Sequence, residues 1–194
     1  SAVLGVSSLV GSSSLMTSCS GGGAAANTPI ERMQGVYVPV LNDKADDGRE
    51  LKAGVIGCGG RGSGAIVNLL EAANGITVTA LGDTFADRLE SLKKDLAEKH
   101  NQVVPDANCF VGFDAYKKVI DSGVDMVVIA TPPVFRPVHF QYATEKGVHS
   151  FLEKPIAVDP KGYRMIMATA KQAQAKGLSV VTGTQRHHQR PYVE

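Results

Sequence analysis

The apolar run Leu51-Lys52-Ala53-Gly54-Val55-Ile56 breaks into Gly57-Cys58-Gly59-Gly60-Arg61-Gly62, and the amphipathic segment Ala65 to Glu71 follows at once. Glycines at 57, 59 and 62 give the spacing G-x-G-x-x-G between a strand and a helix, the setting in which that spacing carries meaning. Gly57 allows a tight turn off the strand, Gly59 lets the backbone approach a pyrophosphate with no Cβ in the way, and Gly62 lets the helix pack close to the sheet. The helix N-terminus offers unpaired N–H groups and a partial positive charge to the phosphates. With 21 glycines in 194 residues the spacing alone is weak evidence, and the flanking segments are what give it weight. The stretch predicts a dinucleotide-binding turn.

The next apolar and β-branched run, Gly75 to Gly82, ends in Asp83, which lies 21 residues after Gly62. In units of this kind a carboxylate about 20 residues beyond the loop meets the adenosine ribose. Such a group accepts hydrogen bonds from both ribose hydroxyls and repels a 2′-phosphate, so NAD is expected rather than NADP. Arg88 is the one nearby residue that could accommodate the phosphate. Asp83 also suits the N-cap of a helix starting near Thr84, and the two roles can coexist.

Downstream, helical and strand patterns alternate. Phe85 to His100 places Leu89, Leu92 and Leu96 on one face of a charged helix. Asn108 to Val111 reads as a short strand and Phe113 to Ser122 as a helix. Val124 to Thr131 is nearly continuous apolar sequence, as expected of a parallel strand covered on both faces. A helix from about Val138 to Lys146, a strand over Gly147 to Leu152, a helix over Pro160 to Ala175 and a strand over Leu178 to Gly183 complete the series. About six strand and helix pairs predict an α/β doubly wound parallel sheet rather than a barrel.

The composition, 43% hydrophobic and 20% charged, is that of a globular chain, and a net charge of +1 with no basic cluster argues against nucleic acid as a partner. Cys19, Cys58 and Cys109 are too few and too scattered for a disulfide framework or a C-x-x-C metal site. Cys58 fits the turn as a small side chain and Cys109 reads as core. Gln185-Arg186-His187-His188 invites a metal reading, yet adjacent histidines in a strand point to opposite faces and no second ligand pair is evident, so no metal is expected. Gln185 and Arg186 are placed instead near a substrate crevice or in interdomain packing.

Ser1 to Ile30 carries no charged residue and is rich in Ser, Gly and Ala. Its apolar stretches are too broken for a spanning helix, which needs roughly 20 continuous apolar residues. The segment resembles an export signal running into Leu15-Met16-Thr17-Ser18-Cys19, a bacterial lipoprotein-like processing site whose cleavage would leave a lipid on Cys19 as the membrane link. The alternative is a disordered Ser/Gly-rich tail. The expected organisation is an export-signal remnant over 1–19, a tether and extended connector over 20–50, a dinucleotide-binding domain over 51–185, and the start of a further domain over 186–194. With no methionine or basic region before Ser1, the sequence is expected to be a fragment of an exported protein, periplasmic or membrane-anchored.

The set Gly57-Cys58-Gly59-Gly60-Arg61-Gly62, Asp83, Ala130-Thr131-Pro132, His139, Gly147-Val148-His149 and above all Glu153-Lys154-Pro155 resembles the Gfo/Idh/MocA oxidoreductases over residues 51 to about 185. The resemblance implies a Rossmann-type domain, with the family's C-terminal α/β substrate domain missing from this chain. It implies NAD held by Gly57, Gly59, Gly60, Arg61, Gly62 and Asp83, with Thr131 and Pro132 lining the cofactor channel and Glu153 beside the nicotinamide end. Lys154 is the implied catalytic lysine. His139 matches the histidine after the Thr-Pro pair, although the connection Pro133 to Val138 is longer than usual in the family.

The implied activity is hydride transfer between nicotinamide and a hydroxyl of a sugar, polyol or glycoside, with Lys154 moving the proton. A lysine at a strand C-terminus in an open α/β sheet faces the ligand crevice, unlike the ordinary solvated surface lysine. The alternatives are an NAD-dependent glycosidase acting by transient oxidation and elimination, a dinucleotide-binding module without turnover, and a methyltransferase, which leaves Glu153-Lys154-Pro155 unexplained. A homo-oligomer is expected of the intact protein.

Overall fold

The computed structural model describes residues 49–184 and Arg186, all within one compact unit, Asp43–Glu194. The readings of the export segment, the lipidated Cys19, the tether and the His187-His188 pair lie outside the described residues. Among those described, no helix is long and apolar enough to cross a membrane.

Strands and helices alternate along the chain: β1 (Leu51–Ile56), α1 (Gly60–Ala72), β2 (Ile76–Asp83), α2 (Ala86–His100), a 3-10 turn (Asp106–Asn108), β3 (Cys109–Val111), α3 (Ala115–Asp121), β4 (Met126–Ile129), α4 (Arg136–Glu145), β5 (His149–Leu152), α5 (Pro160–Ala175) and β6 (Val180–Thr182). The six strands form one sheet in the order β3-β2-β1-β4-β5-β6, with every neighbouring pair parallel. This is the doubly wound Rossmann architecture, and the order reverses between β1 and β4. Ligands of such sheets bind outside the strand C-termini at that reversal.

The central strands are apolar on both faces because both faces are covered. Val128 points into one layer with Val55, Leu81, Ile66, Leu89, Leu92 and Leu96, the side of α1 and α2. Its neighbours Val127 and Ile129 point into the other, with Ile56, Val119, Phe140, Leu152 and Ile166, against α3, α4 and α5. The period-2 alternation of side chains thus splits one apolar run between two cores. Leu89, Leu92 and Leu96 recur at helical spacing on α2 and are fully buried, each contributing roughly 1.5–3 kcal/mol, so an alanine at Leu92 would cost about 2–5 kcal/mol.

Helix ends follow local chemistry. Asp159 caps α5 by accepting the Gly162 N–H at 2.6 Å, with Pro160 in the first turn. Asn101 stops α2 in the left-handed conformation at φ 54°. Several boundaries move by one or two residues from the sequence reading; in addition α1 begins at Gly60, five residues before its apolar face, and α4 begins at Arg136, within the segment read as a long connection.

Candidate functional site

The turn after β1 is fixed by its own backbone and by the end of β2. Gly57 has φ +94° and donates its N–H to Gly82 O at 2.8 Å. A Cβ on Gly62 would stand 1.8 Å from Gly57 O, so helix and turn meet here at a distance that only glycine permits. Asp83 Oδ2 accepts the Cys58 N–H at 2.6 Å, and Oδ1 accepts the Phe85 N–H at 2.9 Å. The N-cap position of α2 is Phe85, so Asp83 is not that helix's N-cap; it ties the β1 and β2 turns together. The Cys58 thiol lies 3.5 Å from Gly82 O, and burial together with the Asp83 charge pushes its pKa far up, which leaves it protonated and unreactive.

Gly59 at the N-cap of α1 supplies no capping side chain, and no acidic residue occupies the first turn. The first N–H groups of the helix therefore keep their affinity for an anion. A cavity of about 470 Å³ opens in front of them. Gly57, Gly59, Gly60, Arg61, Gly62, Asp83, Thr131, Pro132 and His139 all line it, so the structure gathers in one place every residue expected at the cofactor except Glu153. Phe85, Phe113 and Phe135 add aromatic walls, and the Arg88 guanidinium lies over the Phe85 ring at 4.9 Å.

His139 lies in the first turn of α4 and is 7% exposed. Its Nδ1 is 3.2 Å from Thr131 Oγ1, and its ring stacks on Tyr116 with centroids 4.1 Å apart. Burial pushes the imidazole down to about 4, so at neutral pH it is an uncharged hydrogen-bonding partner of Thr131.

Glu153 follows β5 and is 1% exposed. Arg61 Nη2 approaches its Oε1 at 2.7 Å, yet no N–H is aimed at that oxygen, so the contact is an ion pair rather than a hydrogen bond. Glu153 Oε2 accepts the Lys154 N–H at 3.3 Å. The Lys154–Pro155 peptide is cis, and the Lys154 side chain is exposed. Glu153 and Lys154 stand outside the lining of the large cavity, one strand further along the sheet. Because Glu153 N donates to Ile129 O at 3.0 Å, they begin directly beside the end of β4.

Arg136 is a residue that sequence reasoning missed. It is 5% exposed, and its guanidinium donates from Nε to Thr131 O at 2.7 Å and from Nη1 to Glu153 O at 2.6 Å and to Pro155 O. Desolvation lowers its pKa, although the Glu153 charge opposes this. Gln185 lies outside the described residues and Arg186 is exposed. Among the described residues no group of three or more His, Cys, Asp or Glu stands together as a metal site.

A family model described as an oxidoreductase family with an NAD-binding Rossmann fold matches residues 51–182. The chain belongs to this Gfo/Idh/MocA family. A glycosyl hydrolase family 109 protein of Streptomyces coelicolor is 36% identical over 110 residues, which is 56% of this chain and 23% of the relative. Inositol 2-dehydrogenase 4 of Saccharopolyspora erythraea is 30% identical over 113 residues, 58% of this chain and 30% of that protein. The chain therefore spans less than a third of the length of these two relatives. The solved structure of scyllo-inositol dehydrogenase from Lactobacillus casei with NAD(H) and scyllo-inositol superposes with a TM-score of 0.61 at 22% identity, covering 75% of this chain and 39% of that one. At that identity the likeness shows the fold.

NAD is the cofactor of this Gfo/Idh/MocA domain, and the residues present fit it. A Cβ on Gly60 would meet nothing within 4 Å and one on Gly59 only the Arg88 side chain, so the loop backbone faces open space where a pyrophosphate needs close approach. The uncapped start of α1 supplies the N–H groups for it.

Proposed function

We propose that this chain is the cofactor-binding part of an NAD-dependent oxidoreductase that moves hydride between nicotinamide and a hydroxyl of a sugar, polyol or glycoside, with Lys154 as the proton-transfer residue. The supporting observation is the adjacency of three strand ends. The glycine turn follows β1, Thr131-Pro132 follows β4 and Glu153-Lys154 follows β5, and these strands are consecutive in the sheet. A dinucleotide held by the turn and by Thr131-Pro132 would run along these strand ends in the direction of Lys154.

Within this reading Gly57, Gly59, Gly60 and Gly62 offer backbone to the pyrophosphate, with Arg61 at its edge and Asp83 toward the ribose. Thr131, Pro132 and the neutral His139 shape the middle of the groove, and Glu153 holds Arg61 and the Lys154 backbone. NAD, when bound, supplies the hydride acceptor. Lys154 takes the hydroxyl proton as hydride leaves the carbinol carbon, and returns it in the reverse direction. The substrate-facing wall belongs to sequence outside the described residues.

A second reading is favoured by the name of the 36% identical relative, a glycosyl hydrolase family 109 protein. In it the same hydride removal is transient and serves elimination of an aglycone. The whole protein, incubated with NAD and a panel of polyols, free sugars and p-nitrophenyl glycosides, separates the two. NADH accumulation without nitrophenol supports the dehydrogenase, and nitrophenol release without net NADH supports the glycosidase. Lys154→Met with unmodified turnover in both assays would remove the role given to that lysine.

Export and lipid attachment at Cys19 rest on the sequence of residues 1–26; palmitate labelling that survives Cys19→Ser would exclude Cys19 as the anchor. A homo-oligomer is proposed for the whole protein, and sedimentation as a monomer would contradict it.

A further inference from the structure

We propose that Arg136 is the positioning residue for Lys154, holding the lysine's backbone from both sides while anchoring the turn that carries Thr131; the inference rests on the proton-transfer reading of Lys154. Its guanidinium sits at the first residue of α4, where the helix dipole disfavours a cation, and in an environment that disfavours charge. Among the described residues no carboxylate forms an ion pair with it. Three backbone carbonyls drawn from two separate loops compensate the buried charge, with the Glu153 charge acting in the same sense.

The choice of carbonyls is what points to Lys154. Those of Glu153 and Pro155 bracket it, so the peptide plane entering Lys154 and the one leaving Pro155 are both held by the same Nη1. Lys154 Nζ makes no ion pair among the described residues, so what the protein sets is the direction in which the side chain leaves the backbone. The third carbonyl, Thr131 O, belongs to the residue whose hydroxyl meets His139. One rigid planar fork therefore sets the separation between the β4 turn and the β5 loop, the two places from which a substrate hydroxyl and the nicotinamide end would be reached. A lysine at 136 could keep the charge but not the planar fork that spans both loops. Displacement of a reacting group by about 1 Å costs on the order of 100-fold in rate, which is the scale at which such an anchor matters.

The test uses the whole protein and the substrate found in the panel above, with Arg136→Met, Arg136→Lys, Lys154→Met and the double variant Lys154→Met/Arg136→Met. In Arg136→Met, kcat is expected to fall about 10- to 100-fold while the NADH dissociation constant, read by fluorescence titration, rises by a smaller factor, since Arg136 also holds Thr131 at the wall of the cofactor cavity. Amide hydrogen exchange of residues 153–157 should speed up about tenfold or more, with that of residues 57–62 unchanged. Arg136→Lys should fall between Arg136→Met and the unmodified protein. Adding Arg136→Met to Lys154→Met should cost nothing further, because a positioning residue acts only through the group it positions.

Unmodified turnover and exchange in Arg136→Met would overturn the proposal. So would equal losses of turnover and NADH affinity, or losses that multiply in the double variant, since either marks a general structural role. If Arg136→Met does not fold, Arg136→Lys decides: a lowered kcat with retained NADH binding and faster exchange at 153–157 supports the proposal, and full activity overturns it. Lys154→Met with unmodified turnover fails the proposed function instead, whatever the Arg136 variants do.

Discussion

Asp83 Oδ2 accepts the backbone N–H of Cys58 at 2.6 Å, so the carboxylate that ends β2 holds the turn that follows β1. Its other oxygen holds Phe85 N–H, the entry to α2. The residue expected to meet the cofactor ribose is thus also the latch of the loop that meets the pyrophosphate.

Asp83→Ala should accordingly lower the stability of the protein before any cofactor is added. It leaves the buried Cys58 N–H without an acceptor, at a cost of about 1–3 kcal/mol, and weakens NADH binding as the loop relaxes. Urea denaturation without cofactor is the decisive measurement, because a residue serving only the ribose would leave that midpoint unchanged.

Gly62→Ala tests the loop from the other side. A methyl group 1.8 Å from Gly57 O cannot be absorbed by a side-chain rotation, so helix and turn must separate. NADH binding in fluorescence titration should fall by at least about tenfold, roughly 1.4 kcal/mol. Gly60→Ala, whose Cβ meets no protein atom within 4 Å, should leave the fold's stability nearly unchanged, and any loss of NADH affinity there reports on the ligand's own approach.

Arg61 and Glu153 make an asymmetric pair. The Arg61 side chain is 44% exposed while that of Glu153 is 1% exposed, so the two partners lose different amounts when the other is removed. Arg61→Ala strands a buried carboxylate without its cation, and a broken buried pair costs about 3–5 kcal/mol; the exposure of Arg61 reduces this to about 1–3 kcal/mol. Glu153→Gln leaves Arg61 to be solvated by water and withdraws a favourable charge from Arg136, whose guanidinium keeps its three backbone carbonyls. Arg61→Ala should therefore show the lower urea midpoint at pH 7, and Arg61→Ala/Glu153→Gln should recover part of the loss. A double variant no more stable than Arg61→Ala would show that the charge of Glu153 is not what the arginine compensates.

The fold was legible because its strands are apolar runs between breakers: Val127 to Ile129 could be read as doubly covered before any layer was seen. The glycine turn and Asp83 were legible as a spacing, but the latch was not, since both roles weighed for Asp83, ribose contact and helix cap, overlooked a bond to Cys58 that exists only when β1 and β2 lie side by side. Arg136 escaped notice for a related reason. A charged residue before Pro137 reads as surface loop, and the carbonyls that make its burial tolerable come from positions 5, 17 and 19 residues away. Tyr116 beneath His139 is likewise a product of packing α3 against α4. Lys154 was visible through its Glu-Lys-Pro setting alone.

His139 gives the fold a defined acid sensitivity. Its pKa falls from an ordinary 6.5 to about 4 because burial disfavours the imidazolium. Between those values the unfolded chain binds a proton that the folded chain refuses, so stability rises with pH through this window. The contribution is complete above about pH 6.5, declines as the pH drops, and is lost through about pH 4. Its full size is about 3 kcal/mol by linkage. His139→Phe keeps a flat ring against Tyr116 but cannot take up a proton, so the difference in urea midpoint between pH 7 and pH 4.5 should be smaller in the variant than in the unmodified protein. At pH 7 the variant should lose about 1 kcal/mol with the Thr131 hydrogen bond. The same pH dependence in both proteins would mean that His139 is protonated in the folded chain at pH 4.5, and that its burial between Tyr116 and Phe135 does not exclude charge.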